Sequence, residues 1–120
     1  RETLDHIYGL TRMVLNASRK APNVRPAGEP ERSFAELRAQ TLANLQEASD
    51  LLKGDAAGDL SQYKILNQRG DDTTGFPYWH VLNGPLADAL YHVGQVVSFR
   101  RSAGNPMDPR VNVFMGRNRE

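Results

Sequence analysis

The chain contains no cysteine, which excludes a disulfide framework, thiolate metal sites and a cysteine nucleophile, and leaves the redox compartment open. It lacks an excess of either charge. The 15 Lys+Arg against 14 Asp+Glu leave a formal net charge of +1, so no global field recruits a polyanion and nucleic acid is not an expected partner. Arg100, Arg101, Arg110, Arg117 and Arg119 do not change this, being divided between a helix end and a tail. No apolar run approaches the roughly 18 residues of a membrane span, and Arg1 to Ala17 reads as helix interior rather than a leader. No membrane partner is expected, and the expected location is cytoplasmic. Internal repeats and low-complexity segments are also missing.

What is present fits one domain over residues 1–120, because 120 residues are too few for two independent cores. Thr3 to Ser18 carries Leu4, Ile7, Leu10, Val14 and Leu15 at helical spacing with Thr11 on the same side, and Pro22 stops it. Pro22, Pro26, Gly28 and Pro30 make an irregular connector. Ser33-Phe34-Ala35-Glu36 is a capping box, in which the serine hydroxyl accepts from the amide three residues on and the glutamate reaches back. Phe34, Leu37, Thr41, Leu45, Ala48 and Leu52 then form a helical seam that ends near Lys53-Gly54. A third helix is predicted from Gly84-Pro85 to Arg101, with Phe76 to Asn83 a candidate preceding turn; continuity of the two would place a kink at Pro85. Gly104-Asn105-Pro106 ends it. Val111, Val113, Phe114 and Met115 suit a tail strapped across the domain.

Between Gly54 and Gly75 only Tyr63 to Leu66 suggests an extended piece, and no second strand of comparable quality accompanies it. The expected fold is therefore all-α, of the up-and-down four-helix-bundle type, with three helices in this chain. The chain starts at Arg1 with a helix already under way, so the fourth is expected upstream or from a second subunit. An exposed seam left by a missing helix favours a homodimer.

Asp88 and His92 lie four residues apart on the third helix, one turn above each other. Val96 and Phe99 continue their stripe, so the pair is expected to face the core. A buried Asp/His pair needs hydrogen bonds or a cation to offset its desolvation. With His6 from the first helix, the three form a two-histidine, one-carboxylate set with open positions, suited to Zn, Ni or Fe(II). His80 is the reserve ligand, although its neighbours Phe76, Pro77, Tyr78 and Trp79 resemble a pocket wall. The alternative reading is a hydrogen-bonded Asp88/His92 couple that holds together a non-catalytic, partner-binding helical bundle.

The stretch Trp79-His80-Val81-Leu82-Asn83-Gly84-Pro85, with Asp88 to Gln95 and Ser98 to Arg101, resembles the last helix of the DinB-like (DinB/YfiT) superfamily. Gly104-Asn105-Pro106 and Asn112-Val113-Phe114 resemble the tail of one of its branches. The resemblance implies a metal-binding four-helix bundle whose first helix is absent from this chain. His6 would match the family's second-helix histidine, and His92-Val93-Gly94-Gln95 the second histidine of its last helix. Asp88 stands where the first histidine of that helix is usual. By the same analogy the function is that of a metal-binding protein acting on a small molecule or thiol through a metal-bound water or thiolate, as a transferase or hydrolase. Tyr91, Trp79 and His80 would line the small-molecule side, and Asp5 would orient His6 from behind.

Overall fold

The computed structural model describes residues 1–24, 28–54 and 58–120. Pro26 of the expected connector lies outside the described residues, as do positions 55–57 of the long segment after the second helix. Helix α1 spans Glu2–Ser18 and is the centre of the domain, with Ile7, Tyr8, Leu10, Thr11, Val14, Leu15, Ala17 and Ser18 all buried. Its end is a Schellman turn. Lys20 donates to the Ala17 carbonyl, Ala21 donates to that of Asn16, and Lys20 itself holds φ 57°. A lysine is an uncommon occupant of this left-handed position; its ammonium sits 4.4 Å from the centroid of the Tyr63 ring, a cation–π contact that compensates part of the strain.

Helix α2, Phe34–Leu51, starts on the capping box read from the sequence, with both reciprocal hydrogen bonds formed. It packs on α1 through Leu37 and Ala48, three turns apart on one face. Phe34, expected in that seam, is instead 65% exposed. Helix α3, Ala87–Ser102, follows a π turn at Leu82–Leu86 that contains Pro85. Proline has no N–H to give to the preceding turn, and the widened turn accommodates this. The helical path begins at His80, and the Phe76 and Pro77 part of the expected preceding turn is strand.

The all-α four-helix bundle is corrected by two sheets. Strands β1 (Asn23–Val24), β2 (Lys64–Arg69) and β3 (Asp72–Pro77) form one sheet in that order, β1 parallel and β3 antiparallel to β2. Arg69 pairs with Asp72 across a two-residue loop in which Gly70 takes φ 59°, the geometry that suits a tight hairpin and favours glycine. Lys64 to Arg69 carries only Ile65 fully buried and β3 is exposed throughout, so neither strand shows the apolar alternation that reveals a half-buried sheet. That is why the extended piece looked solitary. The described residues thus comprise three helices and two small sheets, a mixed α/β arrangement in which the first sheet joins α2 and α3 around α1.

The core cluster joins Val14, Leu15 and Ala17 of α1 with Ala48, Ile65 and Val81. The distal half of α3 stands away from it: Phe99 is 60% exposed, and Ala89 is the helix's buried residue, so the stripe through Phe99 does not face the core. The tail forms its own antiparallel pair, β4 (Val111–Asn112) with β5 (Arg117–Asn118). Phe114 at its turn is 96% exposed, which corrects the expected apolar strap. No helix among the described residues is long and apolar enough to cross a membrane.

Candidate metal centre

His6 sits one turn before Leu10 on α1, and Asp88 and His92 sit one turn apart at the start of α3. Contact between these two helices brings all three side chains together. One ligand atom from each lies within 4.8 Å of the others. The Asp88 carboxylate divides itself between the imidazoles: Oδ2 is 3.3 Å from His6 Nε2, and Oδ1 is 3.3 Å from His92 Nε2. The two rings meet edge to face at 4.6 Å. The expected burial is not found. The Asp88 side chain is 45% exposed and that of His6 50%, whereas His92 is 22% exposed, so the group opens to solvent at the edge of the α1–α3 contact.

Gln95 completes the arrangement and was not identified from the sequence as a site residue. His92 Nδ1–H donates to Gln95 Oε1 at 2.7 Å. Residues three apart on a helix are neighbours, and a histidine followed at that distance by an amide or carboxylate was the available signal. In the neutral imidazole this bond places the proton on Nδ1 and leaves the Nε2 lone pair toward Asp88. Two acceptors, a ring nitrogen and a carboxylate oxygen, then face each other at 3.3 Å. Such a juxtaposition is unfavourable without a proton or a cation between them.

The other expected site residues distribute differently. Tyr91, 66% exposed, sets its ring edge to face with His92 at 5.2 Å and so borders the triad. His80 and Trp79 form a separate aromatic group with Phe76, their rings 4.7 and 5.3 Å from His80. His80 precedes Asp88 by eight residues, about two turns along the helical path, and this distance along the axis separates the two groups. Buried His80 Nδ1 has no hydrogen-bond partner among the described residues. Asp5 makes no hydrogen bond to His6, since adjacent helix positions diverge; it lines a cleft of about 850 Å3 between α1 and the β1–β2 edge, and His6 lines the same cleft. Of the arginines, Arg100 donates to the Asn105 and Pro106 carbonyls behind α3, and Arg110 pairs with Asp108.

On the far side of the cleft, Glu29 accepts from both Arg12 and Arg32, whose guanidinium groups lie 5.6 and 4.5 Å from the centroid of the Tyr8 ring. The hydrogen bond from Arg12, reinforced by that from Arg32, holds the Glu29 carboxyl below its ordinary range. This network pins the connector before α2 to α1.

No protein-family model matches this chain, and no curated protein or solved structure is significantly similar to it.

Proposed function

We propose that this chain is a divalent-metal-binding α/β domain in which His6, Asp88 and His92 hold a transition ion, of the Zn, Ni or Fe class, beside the cleft along α1. The observation that carries the reading is the commitment of His92 Nδ1–H to Gln95, which turns an Nε2 lone pair toward a carboxylate oxygen. Both imidazole–Asp88 separations are 3.3 Å, each to a different carboxylate oxygen. They are longer than a well-formed N–H···O bond. Two imidazoles and one carboxylate leave a coordination position for a small molecule, and the exposure of His6 and Asp88 makes that position accessible. When bound, such an ion supplies Lewis-acid chemistry to the donor that occupies its open position. The chain's own part is to orient: Gln95 holds the His92 ring, and Asp88 spans the two helices. The resemblance to the DinB-like superfamily points to the same three positions, with Asp88 where that family usually has histidine.

The even division of Asp88 between two imidazoles favours one rival. In it, protonated rings donate to the carboxylate and the group is a metal-free clamp between α1 and α3. Elemental analysis of purified wild type beside His6→Ala, Asp88→Ala and His92→Ala separates the readings. Stoichiometric metal lost in the variants supports the metal centre. A metal-free wild type whose variants merely melt earlier supports the clamp.

A further inference from the structure

The cleft between α1 and the β1–β2 edge has a chemistry of its own. On strand β2 the alternating residues Ile65, Asn67 and Arg69 share one face. Ile65 is buried in the core, and Asn67 and Arg69 continue that face outward as lining of the cleft. The polarity of Asn67 is set from behind. Asn16 Nδ2 donates to Asn23 Oδ1 at 3.0 Å, and Asn23 Nδ2 donates to Asn67 Oδ1 at 3.3 Å. This relay spends the acceptor of Asn67 and leaves its Nδ2 hydrogens as donors. Two residues on, the Arg69 guanidinium has no hydrogen-bond or ion-pair partner among the described residues. Arg12, the other cation that lines the cleft among the described residues, is already matched by Glu29. One unmatched planar cation beside an oriented amide donor is the complement of a carboxylate. The cavity, about 850 Å3, has the size of a small-molecule site.

We propose that this cleft binds a small monocarboxylate, its carboxylate taken by Arg69 and Asn67. The carboxylate of Asp5, unpaired among the described residues and in the same cleft next to His6, disfavours a second negative charge on the ligand and favours a neutral or cationic far end. That this far end meets an ion on His6 rests on the metal reading above. The carboxylate end does not, because none of its groups belongs to the triad.

The test is an NMR titration of the 15N-labelled chain, read at the Arg69 Nε–H and the Asn67 side-chain amide. The probes are butyrate, 4-aminobutyrate, butyramide and inorganic phosphate. Butyrate and 4-aminobutyrate should give saturable shifts, and butyramide should give none. Arg69→Ala should weaken butyrate by about tenfold or more, the effect of losing a charge-assisted hydrogen bond. Asn67→Asp keeps the acceptor that Asn23 needs and replaces the donor, so it should weaken butyrate as well while leaving the melting temperature near wild type. Equal response to butyramide, tighter binding of phosphate than of either carboxylate, or unchanged affinity in Arg69→Ala would overturn the proposal. The two readings fail separately. A metal-free wild type that binds butyrate refutes only the ion, and a metal-loaded protein that ignores butyrate refutes only the cleft.

Discussion

Gln95 offers the sharpest test of the metal centre, because it touches only the back of one ligand. Its Oε1 accepts from His92 Nδ1 at 2.7 Å, a short and well-placed bond. Replacing Gln95 by Leu removes the acceptor while keeping a helix-favouring side chain of similar length. The ring then loses its fixed orientation, and the tautomer with the proton on Nε2, which cannot bind an ion there, becomes available. Partners of this kind contribute about 10–100-fold in metal affinity, equivalent to about 1.4–2.7 kcal/mol. Gln95→Glu should act in the opposite direction, since a carboxylate behind the imidazole raises its basicity as a ligand. Competition for zinc against a chromophoric chelator, with wild type and both variants at one pH, measures the three affinities. The order Glu above Gln above Leu is expected, with metal-free melting temperatures close together. Identical zinc affinities in all three would refute the lone-pair argument, since they would mean that the Gln95 bond has no influence on what Nε2 does.

Two further predictions concern the frame that holds the site. Leu37, 1% exposed, is among the largest fully buried side chains, so Leu37→Ala should cost about 2–5 kcal/mol in denaturant unfolding; a loss under about 1 kcal/mol would mean that α2 is not held through this residue. Glu29 has its carboxyl pKa depressed by the hydrogen bonds from Arg12 and Arg32, so its contribution is fully present above the unfolded carboxyl pKa and is lost as pH falls through the lower folded value. Stability measured from pH 6 down to about pH 2 should therefore fall less steeply in Glu29→Gln than in wild type, and parallel curves would show that the clamp over Tyr8 is not coupled to folding.

The helices were legible because each is written in local terms. The α1 periodicity, the Ser33–Glu36 capping box and the Gly104 stop are all found where local rules put them. The spacing of Asp88 and His92 likewise sufficed to place both on one helical face. The first sheet was hidden for a physical reason. Its strands bury one residue fully between them, and β1 is two residues long, so side-chain alternation could not announce them. Backbone hydrogen bonding to a partner distant in the chain makes them strands.

By itself, then, the sequence determined where helices begin and end and which side chains have the chemistry to bind an ion, since both depend on residues within a turn or two of each other. Only the tertiary structure decided that His6 meets Asp88 across 82 positions of chain, that Gln95 sets the face His92 presents, and that Asn67 and Arg69 look into a cleft beside α1. Those relations arise from the packing of α1 against α3 and β2, and no local pattern encodes the approach of two segments so far apart.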